Sequence, residues 1–116
     1  MKTSSAKAKG RSLQKYIRDR LLKTFEAVPI YDIASRPMGS QGSDLIMSAV
    51  AKKYFPYKIE CKNQEAFANV YKAFEQAKSQ KEDGEPLLIL KRNREQPLVV
   101  VDFEVFLELV RNANRT

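Results

Sequence analysis

"YKIECK" (Tyr57–Lys62), "EAFANVYKAFEQAKSQ" (Glu65–Gln80) and "PLLILKR" (Pro86–Arg92) follow one another in the sequence, and their order decides the fold. The first and last read as strands, short and rich in branched or long apolar residues. The middle segment places Phe67, Val70, Tyr71, Phe74 and Ala77 at helical spacing. Strand, helix and strand of these lengths form a right-handed crossover between parallel strands. In the first strand alternate side chains share a face, so Glu60 and Lys62 stand side by side while Ile59 and Cys61 point the other way. Two readings fit that pair: an ion pair on a solvated sheet face, or a metal-ligating carboxylate with an attendant lysine.

Working outward, "NREQ" (Asn93–Gln96) is short enough to turn "PLLILKR" into a hairpin with "PLVVVD" (Pro97–Asp102). "DFEVFLELVRNA" (Asp102–Ala113) then starts at a candidate cap, Asp102, and carries Phe103, Phe106, Leu107 and Val110 on one helical stripe. Upstream, "LQKYIRDRLLKTF" (Leu13–Phe25) is helical in period, with Ser12 as candidate cap and Pro29 as terminator, and Arg11, Gln14 and Arg18 on a shared face. "IYDIAS" (Ile30–Ser35) and "DLIM" (Asp44–Met47) read as short strands around the loop "RPMGSQGSD" (Arg36–Asp44). "SAVAKKYF" (Ser48–Phe55) is a helical excursion before Pro56. The expected architecture is α/β, a central mixed sheet flanked by helices: residues 11–116 as a single domain behind a flexible basic arm at 1–10. Phe67, Tyr71, Phe74, Phe103 and Phe106 are expected in its core.

Composition narrows the chemistry. The chain has 116 residues, no histidine and one cysteine, Cys61. A zinc site, a Ser-His-Asp or Cys-His triad and an internal disulfide are therefore excluded. No apolar run approaches bilayer length and the N-terminus lacks the apolar block of a signal peptide, so no membrane association and a cytoplasmic protein are expected. The formal charge is +7, and residues 1–25 account for it with eight basic side chains against Asp19 alone. Such an arm and first helix suit a polyanion, most simply nucleic acid, or serve as a solubilising tail.

Asp44 follows the glycine-bearing loop, and fifteen residues separate it from Glu60. Two carboxylates on neighbouring strands, with the Cys61 backbone carbonyl, offer hard oxygens for Mg²⁺ or Mn²⁺. A metal there would acidify water and neutralise a phosphate, and Lys62 would orient that water or stabilise the transition state. Gly39 and Gly42 permit positive φ and close approach of backbone amides to a phosphate, Ser40, Gln41 and Ser43 add donors, and Arg36 can grip a backbone.

"GSD" (Gly42–Asp44) followed by "ECK" (Glu60–Lys62) resembles the PD-(D/E)xK nuclease superfamily. The wider text is similar to its small Holliday-junction-resolvase-like branch, archaeal-type and phage-encoded. "KGRSLQKYI" (Lys9–Ile17) resembles the opening helix, "RPMGSQGSDL" (Arg36–Leu45) the loop before the aspartate, "IECKNQ" (Ile59–Gln64) the Glu-x-Lys strand, and "PLLILKRNREQPLVVVDFEVF" (Pro86–Phe106) the closing hairpin and helix. The resemblance implies a restriction-endonuclease-like core of αβββαβ type and a Mg²⁺-dependent endonuclease acting on DNA as a homodimer, in a bacterial or phage-infected cell. Asp44 and Glu60 would be metal ligands and Lys62 the catalytic lysine. Resolvases of this type place a glutamate on the first helix in a Lys-Gly-x-x-x-Glu pattern; the matching position here is Gln14, a neutral amide. Lys7, Lys9, Arg11, Lys15 and Arg18 would bind DNA phosphates with the loop donors. Four-way junctions are the leading substrate; a sequence-specific homing or nicking enzyme, and a non-catalytic nucleic-acid binder, are the alternatives.

Overall fold

In a computed structural model that describes residues 4–115, the crossover forms as its pattern requires. Strand β3 (Tyr57–Asn63) and strand β4 (Glu85–Lys91) run parallel in full register, Tyr57 opposite Glu85 through Asn63 opposite Lys91. Helix α3 (Val70–Ser79) connects them, and β5 (Leu98–Val100) pairs antiparallel with β4 to complete a three-stranded mixed sheet in the order β3-β4-β5. The pleat sorts the side chains. Ile59, Cys61, Leu87 and Ile89 join a core with Leu13, Ile17 and Leu21 of helix α1 (Ser4–Thr24). Leu88, wholly buried, packs with Phe74 and Ala77 of α3 on the opposite face. Glu60 and Lys62 have the parity of this α3 face.

The segment between α1 and β3 forms a second, two-stranded ladder. A 3-10 turn (Ile30–Asp32) leads into β1 (Ile33–Ser35), which pairs antiparallel with β2 (Leu45–Met47). Only the second half of the expected strand at 30–35 is therefore extended. Ser48 caps the short helix α2 (Ala49–Tyr54): its Oγ accepts from Ala51 N and donates to Asp32 Oδ2. The two ladders meet where Asp44 N donates to Ile59 O.

Three expectations change. The first helix begins at Ser4, not Ser12, so residues 4–10 are helical rather than a flexible arm; residues 1–3 of that expected arm lie outside the described residues. Apolar periodicity is absent from this stretch, but its alanines and lysines are strong helix formers, and Gly10 lies against Met38 of the loop. Helix α3 starts at Val70, where the Asn69 side chain accepts from Lys72 N, which leaves Phe67 on the preceding loop. Asp102 occupies the N-cap position of helix α4 (Phe103–Ala113) but makes no capping bond through its side chain.

Of the five aromatic residues expected in the core, only Phe74 is buried. Phe67 is half-buried, Tyr71 is 86 % exposed, and Phe103 and Phe106 are 70 % and 52 % exposed. The stripe on α4 is real, but it faces away from the sheet. Val105, off that stripe, is the residue of α4 that packs against the core.

Candidate active site

β3 has β4 on one edge only, and Asp44 occupies the other. Its backbone N–H donates to Ile59 O, and its Oδ2 accepts from Cys61 N at 2.7 Å. Asp44 thus extends the ladder by one residue and fixes its carboxylate at the strand edge. Within a strand the N–H and C=O of one residue point to the same side, so the Cys61 carbonyl faces the Asp44 edge. The Arg36 backbone N–H in turn donates to Asp44 O, which continues the pairing of β1 with β2.

The opening stretch also explains the alternate residues on the α3 face. Lys58, Glu60 and Lys62 stand in a row. The Lys58 ammonium donates to the carbonyls of Lys78 and Gln80 at the C-terminal end of α3, where the helix dipole favours a cation. This brings Gln80 against the strand, and its Nε2 donates to Glu60 Oε1 at 2.9 Å. Gln76, one turn earlier on the same helix, lines a different cavity of about 460 Å³ with Lys62, Gln64, Phe67, Asn69 and Lys72.

Glu60 is 5 % exposed. Burial pushes its carboxyl up to about 7, the neighbouring Asp44 carboxylate adds to the rise, and Lys62 and the Gln80 amide oppose it. The two carboxyls interact directly, so ionisation of one disfavours ionisation of the other. Burial and the same two carboxylates drive the Cys61 thiol upward, which removes it as a nucleophile or thiolate ligand. Adjacent carboxylates that repel one another, with a backbone carbonyl aimed at the same edge, fit a hard divalent cation. Among the described residues no group of three or more His, Cys, Asp or Glu side chains is placed to hold a metal, so water or substrate would complete the shell.

Gln14 is placed differently. It is buried at the margin of the α1 core, and its Oε1 accepts from Ser35 Oγ. The exposed face shared with Arg11 and Arg18 that the sequence suggested therefore excludes it: Gln14 belongs with the stripe of Leu13, Ile17 and Leu21. Arg11, Ser12, Lys15 and Arg18 line a groove of about 620 Å³ closed on its other side by Ser35, Arg36 and Met38. Lys7 precedes Arg11 by one turn on the same stripe, whereas Lys9 projects from another side of α1. The groove abuts the site, because its wall residue Arg36 is backbone-bonded to Asp44.

Two cations of the groove serve the fold. Arg18 donates to Ile33 O and Ile30 O and pairs with Asp19, so it holds the start of β1 against α1. Arg36 donates through Nε to Ser43 O at 2.6 Å and approaches Glu82 at 4.0 Å. Ser40 and Gln41 are exposed at the loop tip, with Ser40 Oγ donating to Pro37 O. Ser43 is buried, its N–H donates to both oxygens of Glu82, and it presents no donor to solvent. Burial alone would raise Glu82, but the Ser43 hydrogen bonds and the charges of Arg36 and Lys52 take its carboxyl below the usual range.

The sequence reading missed Lys58, Gln80, Ser35 and Glu82. Lys58 was available from the alternation that selected Glu60 and Lys62. The partners of the other three depend on how α3 and the loop return to the sheet. No protein-family model, curated protein or solved structure is found to match this chain.

Proposed function

We infer that this protein is a metal-dependent endonuclease that hydrolyses phosphodiester bonds in DNA. The observation that carries the reading is the Asp44–Glu60 carboxyl pair at a sheet edge, with Lys62 two residues along on the same face. The order α1-β1-β2-β3-α3-β4 supports a restriction-endonuclease-like αβββαβ core, with α2 inserted and β5 and α4 appended. Asp44, Glu60 and the Cys61 carbonyl would hold Mg²⁺ or Mn²⁺. Bound there, the cation would supply Lewis acidity toward water and the scissile phosphate. Gln80 keeps the Glu60 carboxylate in one rotamer. The Lys62 ammonium orients the attacking water by hydrogen bonding and offsets the charge that grows on the phosphoryl oxygens. Arg11 and Lys15, in the groove beside Asp44, bind the DNA backbone without reading sequence.

Among candidate substrates the four-way junction comes first, because Arg11 and Lys15 would contact the DNA backbone without reading sequence. The non-catalytic reading draws on one observation, the buried Gln14 amide committed to Ser35 where a resolvase-like carboxylate would stand. Wild type, Lys62→Ala and Glu60→Gln, incubated with labelled four-way junction, linear duplex, nicked circle and single strand in Mg²⁺, Mn²⁺ or EDTA, separate these readings. Cation-dependent cuts lost in both variants are expected, with symmetric nicks on the junction. Fixed cuts in one duplex sequence select the homing or nicking alternative, and binding without cleavage in either metal overturns the catalytic reading.

A further inference from the structure

Lys62 belongs to two places at once. It stands beside Glu60, and it lines the cavity of about 460 Å³ bounded by the end of β3 and by α3. That size suits a small ligand or one unit of a larger one. Among the described residues the lining holds two ammoniums, Lys62 and Lys72, and no carboxylate, so it favours an anion. A phosphate alone would leave the remaining walls unexplained. Gln64, Asn69 and Gln76 bring amides, and Phe67 brings a half-buried ring. Side-chain amides match the hydrogen-bonding edges of a nucleobase, and an aromatic ring offers it a stacking surface.

The walls are fixed before any ligand arrives. Gln64 N donates to Lys91 O, Asn93 N donates to Glu65 Oε2 at 2.6 Å, and Asn69 Oδ1 accepts from Lys72 N. Segment 64–69 is thereby tied to the β4–β5 hairpin at one end and to α3 at the other. Glu65, the one acid of that segment, is turned to the hairpin. The side chains of Gln64, Lys72 and Gln76 make no hydrogen bond or ion pair among the described residues, so their polar atoms are available to a ligand.

We propose, on the basis of the nuclease reading, that this cavity takes one nucleotide of the DNA strand next to the phosphate at Asp44 and Glu60, its base out of the stack and against Phe67. A base inside a duplex is paired and stacked, and extruding it costs least where it is already unpaired. The cavity therefore selects DNA that presents an unpaired nucleotide beside the cut, a property of structure and not of sequence. The α1 groove and the cavity adjoin the carboxyl pair through different residues, Arg36 for the one and Lys62 for the other, so backbone binding and base capture are separable by mutation.

The full chain is titrated in EDTA against three labelled duplexes of one sequence: fully paired, with a single unpaired nucleotide, and with an abasic residue at that unpaired position. The same duplexes are then incubated in Mg²⁺ or Mn²⁺. Wild type should bind the base-bearing bulge about tenfold more tightly than either of the others, and cuts should fall beside the bulge. Phe67→Ala should bring that ratio close to one, with circular dichroism and the melting midpoint as checks on its fold. Gln64→Ala, at an exposed position, should lower the ratio about threefold without touching the fold. An abasic bulge bound as tightly as the base-bearing one overturns the proposal even where cleavage is seen. So does a preference that survives Gln64→Ala and a folded Phe67→Ala. Base-dependent binding without cleavage in either metal supports the base site and overturns the nuclease reading, and failure to bind any of the duplexes overturns both.

Discussion

At Glu60 the fold keeps a carboxyl where solvent would ionise it readily. Its ordinary value near 4.5 is raised to about 7, by burial first and Asp44 second. The folded chain therefore binds this proton more tightly than the unfolded chain. The resulting stability is fully present below about pH 4.5 and is lost as pH rises through 7. Without divalent cation, the melting midpoint of wild type should fall across that interval, by a contribution on the order of 2 kcal/mol after allowance for residual solvent screening. Glu60→Gln, neutral at every pH, should flatten most of that slope. Thermal melts of both proteins at pH 4.5, 6 and 7.5 in EDTA check it; parallel slopes would show that Glu60 does not hold the proton. Gln80→Ala removes a bond to the ionised form, so its melting curve should lose stability over a window displaced toward higher pH.

Between residue and fold lie the attachments of α3 and of the glycine loop. Lys58 holds the last carbonyls of α3, and Lys58→Met should free that end at a cost of about 1 kcal/mol. Hydrogen exchange should quicken in the last turn of α3 and leave its first turn unchanged. The loop is more sensitive. Gly42 has a φ of 123°, and a Cβ there would lie 2.5 Å from the Arg36 guanidinium carbon. Gly42→Ala should therefore both strain the backbone and expel Arg36 from Ser43 and Glu82, costing about 2 kcal/mol in a urea titration.

These attachments show what could be read from residue order. The alternation of "YKIECK" put Glu60 and Lys62 on one face and Ile59 and Cys61 on the other, and the crossover followed from segment lengths. Gly39 and Gly42 both adopt the positive φ that the loop's glycines suggested. Gln80 could not be chosen over Gln76, because which amide reaches Glu60 depends on where α3 ends against Lys58. The exposure of Phe103 and Phe106 was equally hidden: period shows that a helix has an apolar face and leaves open which surface that face meets.

Charge acts at the scale of the whole molecule. No helix of the described residues is long and apolar enough to cross a membrane, and most of the excess positive charge is gathered on α1. Arg18, Arg20 and Lys23 stand toward the far end of that helix, and Arg18 is already engaged with β1. Arg11 and Lys15 also line the groove and make none of the bonds that engage Arg18, so they should contribute to nucleic-acid affinity out of proportion to their number. Each phosphate contact releases condensed counterions, and the logarithm of the binding constant falls with the logarithm of salt in proportion to the contacts made. Arg11→Ala with Lys15→Ala should therefore lower the salt slope for duplex DNA by about 2. Arg20→Ala with Lys23→Ala, an equal change in net charge, should lower it by well under 1. Fluorescence anisotropy from 50 to 300 mM salt (about a sixfold span, wide enough to define the slope) measures both pairs. Equal effects would mean that α1 attracts DNA as a diffuse cation, and the groove beside Asp44 would lose its claim to be the path of the backbone.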